Sequence, residues 1–277
     1  MALLRPDNWP VGWPLAALAA AAALYHAGGR ARETRPSLSR SASFYAGIAT
    51  LALAVGSPVD AYADRLFFVH MVQHVLLTMA APPLLLLGRP WPRLLRPFPR
   101  GARRAAVGGL FRLARARRGA EWAASPLPAF VLFNGTLLGW HLPALYDLTL
   151  RSQAAHDLEH ALFFGTALLF WRHLAPAGRA RALSDPARAA YGAGGLAAGF
   201  VLAVVLALAP DAVYSAYAGL SSRPLGLSAL ADQQLAAGIM WVPGSVPETI
   251  AVLAACYRWL DPGAARRRPL DLRPRET

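Results

Sequence analysis

The chain has no lysine and a single cysteine, and its 28 basic residues, all arginine, outnumber its 15 acidic ones. The lone Cys256 excludes an internal disulfide framework and any metal site built from several thiolates. The lack of lysine points to a GC-rich bacterial coding sequence and carries no mechanistic meaning. No internal repeat is visible, and low complexity is confined to the alanine-rich stretch near the amino terminus.

Charge is also missing over long intervals. Residues 8–29, 41–59, 66–88, 122–146 and 189–210 contain no Asp, Glu, Lys or Arg, and 56% of the chain is apolar. A helix of about 20 residues crosses a bilayer, so each interval reads as a span. Two further spans are expected at 152–174, despite Asp157 and Glu159, and at 229–260, despite Asp232, Glu248, Pro243 and Pro247. The fold class is therefore an all-α polytopic bundle of about seven spanning helices. It forms one transmembrane domain over 1–260, followed by a basic tail at 261–277. The first segment resembles a signal peptide only superficially, since Asp7 spoils its basic start, and it is read as a helix.

A net charge of +13 would suggest nucleic acid as the partner of a soluble protein. In a membrane protein the same charge sorts by side. The connections 27–40, 88–121 and 172–188 and the tail from Arg258 hold 24 of the 28 arginines, and only Arg5, Arg65, Arg151 and Arg223 fall on the other side. The positive-inside rule then puts the amino terminus outside and the carboxyl terminus in the cytoplasm. The 88–121 connection alternates Arg with Leu, Phe and Trp, as in an amphipathic segment lying on anionic lipid. Anionic lipid is thus the expected partner of this charge, and nucleic acid is not.

Orientation locates the groups that could do chemistry, because an ionisable residue inside a span is a functional candidate. His70 and His74, four apart on one helix face, lie in the outer half of the third span. His141 ends the fourth span just before Pro143, and His156 and His160, again four apart, open the fifth. Five of the seven histidines converge on one level from three spans, while His26 and His173 fall at cytoplasmic ends and are assigned no chemistry. Imidazoles at one depth in lipid need each other, water or a cation, and two facing pairs can hold a metal ion. Imidazole suits copper, zinc, iron or nickel, and nearby thioethers lean toward copper. Met71 and Met240, however, are likelier core residues than ligands. Asp232 starts the seventh span at the histidine level, where it either completes a metal shell, orients an imidazole or caps its helix. Glu248 lies deeper, near the break that Pro243 and Pro247 impose, as a buried partner or a relay group.

The run His70-Met71-Val72-Gln73-His74 leading to Pro82-Pro83, then His156-Asp157-Leu158-Glu159-His160 leading to Phe170-Trp171, then Asp232-Gln233-Gln234 and Met240-Trp241-Val242-Pro243 resembles the CtaG family of caa-type cytochrome c oxidase assembly factors over roughly residues 40–260. The resemblance implies a seven-helix protein of the bacterial inner membrane that helps a heme–copper oxidase mature at its copper-loading stage. The implied metal residues are His70, His74, His141, His156, His160 and Asp232, with copper as the ion. The implied partners are oxidase subunits and periplasmic copper chaperones. Ala236-Ala237-Gly238 stands where a pair richer in glycine is expected, with no ligand lost.

Three rivals stand beside this reading. A bis-histidine heme cytochrome would need two of the histidines on facing helices. A copper transporter would need polar groups continuing inward, where only Glu248 and the broken seventh helix offer any. His156-Asp157-Leu158-Glu159-His160 also fits the H-x-x-E-H pattern of zinc peptidases, but it leaves His70 and His74 unexplained. No enzymatic bond-making is expected.

Overall fold

The computed structural model describes residues 12–30, 37–112, 114–175, 183–220 and 223–261, and among these it is helical with no strand. The chain opens with α1 (Trp13–Arg30) and α2 (Leu38–Val55), followed by the short α3 (Pro58–Ala63). Next, α4 (Phe67–Val75) runs through a π turn at Leu76–Ala80 into α5 (Ala81–Gly88). The connection that follows holds α6 (Trp91–Leu94), α7 (Arg100–Arg112) and α8 (Ala114–Ala123). Then come α9 (Pro126–Trp140), α10 (Pro143–Arg151) and α11 (Gln153–Leu174), and finally α12 (Asp185–Leu208), α13 (Ser215–Ala218) and α14 (Ala229–Leu260), which runs as one helix through Pro243 and Pro247 where a break was expected.

Among the described residues, four helical units are long and apolar enough to cross a membrane: Leu38–Ala63, Phe67–Gly88, Asp185–Leu208 and Ala229–Leu260. The other three expected spans exist as helices but are shorter or more polar. α1 has 18 residues, α9 has 15, and α11 carries Asp157, Glu159 and Arg172 among its 22. At about 1.5 Å per residue α9 is roughly 22 Å long, against about 30 Å of hydrocarbon. It stops where it does because Leu142 precedes Pro143 and is extended, at φ −65° and ψ 132°. Apolar side chains that a soluble protein would cover face outward, among them Val131 of α9, Phe200 and Val205 of α12, and Val242 and Ile250 of α14. Such a surface belongs in lipid. The tail from residue 262 lies outside the described residues, and the latter part of the arginine-rich connection is helical in α7 and α8.

The break in the α4–α5 unit follows from its prolines. Pro82 has no N–H to give the Thr78 carbonyl four residues earlier, and the indole Nε1 of Trp171 in α11 donates to that carbonyl instead, at 2.8 Å. A kink required by sequence thereby becomes a tie between two spans. α5 also lies close on α2: a Cβ at Gly88 would come within 2.7 Å of the Phe44 Cβ, so only glycine permits this approach.

Three apolar clusters fill the interior. One joins Tyr25, Phe44, Leu51 and Leu85 of α1, α2 and α5. A second stacks Phe133 on Phe170 between α9 and α11, with Tyr191 beyond. The third gathers Phe67, Met71, Tyr146, Phe163, Tyr214 and Tyr217 at the end of the bundle where α4, α11 and α14 begin and α9 and α12 finish. The histidines lie against this third cluster.

Candidate metal centre

α4 and α11 each present two histidines one helical turn apart, and packing brings the two pairs together. Ring centroids are 4.3 Å apart for His70 and His74, 4.1 Å for His156 and His160, and 5.1 Å across the helices from His70 to His156. Glu159, three residues after His156, shares its helix face and enters the same space. Its Oε2 is 3.6 Å from His70 Nε2 and 3.6 Å from His74 Nε2, and the carboxylate is fully buried. One ligand atom from each of His70, His156, Glu159 and His160 lies within 4.8 Å of the others.

Two tyrosines hold the His70 ring. Tyr217 donates its hydroxyl proton to the Ala63 carbonyl, so toward His70 Nδ1, 3.2 Å away, its oxygen can only accept. Tyr146 oxygen lies 2.8 Å from the same nitrogen and is hydrogen-bonded to Tyr217. Burial holds the Tyr217 phenol well above its ordinary pKa, so this donor keeps its proton. The two phenols hold His70 Nδ1, and the ring thereby turns its Nε2 toward Glu159, as outer partners orient metal-ligating histidines.

The result is a set of buried nitrogens and oxygens left without hydrogen-bond partners. His70 Nε2, both ring nitrogens of His74, His156 Nε2, His160 Nε2 and both oxygens of Glu159 are buried without a hydrogen-bond partner. Buried polar atoms are ordinarily paired, and a carboxylate buried among neutral rings is costly. A cation held by one atom each of His70, His156, Glu159 and His160 would satisfy the part of this group that converges, so the donor set fits a metal ion.

The other expected residues are placed differently. His141 lies one ring beyond His74, at 6.0 Å between centroids. Asp232 does not join the cluster: its two oxygens accept from the amides of Phe67 and Phe68, each at 2.9 Å, and cap α4 from across the bundle. Its neighbour Gln233 donates to Leu206 O at 2.9 Å and accepts from Val213 N at 2.7 Å, which ties α14 to the end of α12. Met71 meets His141, with Sδ 3.5 Å from Nε2. Met240 and Glu248 line a separate cavity of about 210 Å³ between α12 and α14. A Cβ at Gly195 would collide with Glu248 Oε1, so glycine there is what admits the carboxyl. His173 is structural, with Nε2 donating to Ala124 O at 2.9 Å.

Glu159 was legible as an acid inside a span, three residues from a histidine. Tyr146 and Tyr217 gave no signal, being neutral residues far from His70 in the chain. A larger cavity, of about 540 Å³, opens between α1, α2 and α11 and reaches the cluster, lined by Trp13, Asp60, Gln153, His156, Asp157 and His160.

Residues 16–261 match the family model of the cytochrome c oxidase caa3 assembly factor, an interval that holds every helix bearing the cluster. The chain belongs to this family. Among curated proteins, this caa3 assembly-factor chain is 27% identical over 230 residues to uncharacterised proteins of Mycobacterium bovis and Mycobacterium tuberculosis. It is 25% identical over 234 residues to one of Mycobacterium leprae. These alignments cover 79%, 79% and 83% of the chain but only 34%, 34% and 35% of the relatives, so the family domain spans about a third of their length. No solved structure matches the chain.

Proposed function

We propose that this protein is a bacterial inner-membrane assembly factor that receives copper at the histidine–carboxylate cluster and passes it to subunits of a heme–copper cytochrome c oxidase. The observation that carries the reading is the buried group of unpartnered imidazole nitrogens around Glu159. Family membership supplies the oxidase as recipient.

Copper is the cargo, and the chain's own groups do the rest. His70, His156, His160 and Glu159 would hold the ion, with His74 beside them. The Tyr146–Tyr217 pair keeps His70 Nε2 turned inward. Release requires only ligand exchange, with no covalent step. The cavity whose polar lining includes Asp60, Gln153 and Asp157 reaches His156 and His160 and would give a partner at the outer surface access to them. The arginine distribution puts this end of a seven-span bundle outside, where periplasmic chaperones and the copper-bearing parts of an oxidase are found, and keeps the basic connections on anionic lipid. Rings packed 4.1 to 6.1 Å apart favour a compact ion over a porphyrin between two of them.

Metal analysis by mass spectrometry, combined with a visible spectrum of protein purified in detergent from copper-supplemented cells, tests the proposal. Near-stoichiometric copper without a heme band is expected, and it should be lost in the His70→Ala/His74→Ala double variant with helicity intact. Copper retained in that variant, or a heme band without copper, overturns the proposal.

A further inference from the structure

We propose that His141 and Met71 form a second metal station, selective for a soft monovalent cation of the Cu(I) type and distinct from the histidine–carboxylate cluster. The inference rests on the copper reading above and adds the oxidation state and a direction of transfer to it.

The geometry at His141 leaves one arrangement of protons. Nδ1 lies 2.7 Å from the Leu137 carbonyl, which can only accept, so the ring's proton sits on Nδ1. The neutral imidazole then has a bare Nε2, and what faces it at 3.5 Å is the thioether sulfur of Met71, which has lone pairs and no proton. The reverse tautomer would give an N–H to sulfur, a weak acceptor, while setting a bare nitrogen against a carbonyl oxygen at Leu137. Both side chains are buried, Met71 at 0% exposure and His141 at 5%, so water does not fill the gap from bulk. Two facing acceptors in a dry place are complemented by a cation. Imidazole with thioether is a soft pair that favours Cu(I), whereas the imidazole and carboxylate donors of the first cluster suit several divalent metals.

Position gives the pair a role. His156 and His160 line the outer cavity, His70 and His74 follow, and the His74 ring is 6.0 Å from the His141 ring. The donors thus change from nitrogen and oxygen near the entrance to nitrogen and sulfur at the far end. A cation moving along this row by ligand exchange is sorted, since only the soft ion is held at the last station.

The test is copper K-edge X-ray absorption on the full-length protein in detergent, loaded with Cu(I) under anaerobic conditions. The wild type should show a sulfur shell, and protein loaded with Zn(II) should show none at the zinc edge. Met71→Leu, close in volume and apolar, should lose the sulfur shell and one of its copper equivalents. Growth on selenomethionine gives a second readout on the unmutated chain, in which selenium replaces the sulfur scatterer. Copper bound without sulfur or selenium scattering, or a sulfur shell unchanged in Met71→Leu, overturns the second station alone. A wild type that binds no copper overturns the function proposed above together with it.

Discussion

Glu159 brings the physics of the site down to one side chain. It is fully buried in an apolar bundle, with the Nε2 atoms of His70 and His74 each 3.6 Å from its Oε2. An uncompensated charge in such a place costs several kcal/mol, so the residue is a burden to the metal-free protein and an asset once a cation binds. Glu159→Gln keeps the shape, removes the charge and turns N–H donors toward bare nitrogens. Copper affinity, measured by competition with a chelator, should fall by about tenfold or more. The melting temperature of the metal-free protein should stay level or rise. Unchanged affinity would remove Glu159 from the metal site. The spacing of the histidines was readable in the chain because helical periodicity is local. The tyrosines that orient His70 were not, because their contacts span 76 and 147 residues.

At the scale of elements, polar residues inside spans have two different occupations, and sequence does not separate them. Asp232 looks equally like a ligand and a cap until the packing of α14 on α4 is known. The structure gives both its oxygens to the first amides of α4, in a bond that links positions 164 and 165 residues apart. Asp232→Ala should therefore destabilise the protein by about 2 kcal/mol, the loss of a charged helix cap, and leave copper content at saturating metal unchanged. Thermal melting alongside metal analysis distinguishes the roles, since a stable variant without copper would return Asp232 to the ligand set. The prolines divide in the same way. Pro82 removes an N–H from the third span wherever that span packs, but that Trp171 takes the Thr78 carbonyl became visible only with α11 in place.

For the whole molecule, the arginines carry the topology. With 24 of 28 assigned to one side, the chain is expected to cross seven times, although among the described residues four helical units are long and apolar enough to span on their own account. The shorter α9 and the more polar α11 gain from being enclosed, because neighbouring helices satisfy groups that lipid would not. Single-cysteine labelling in a Cys256→Ser background tests the arrangement. A membrane-impermeant maleimide should label Arg151→Cys in intact cells and should label Arg100→Cys only after the inner membrane is opened. The opposite pattern would place the histidine cluster on the cytoplasmic side and remove periplasmic chaperones as donors.

The sequence by itself determined the helical class, the charge-free spans and the shared level of five histidines, because hydropathy, the sorting of arginines and the four-residue turn are properties of short stretches of chain. Which histidines meet, that Glu159 stands among them, that Asp232 caps another helix and that Met71 faces His141 were decided by tertiary structure. Each of these depends on the rotation and depth of one helix against another, and that geometry is set by packing across the whole bundle.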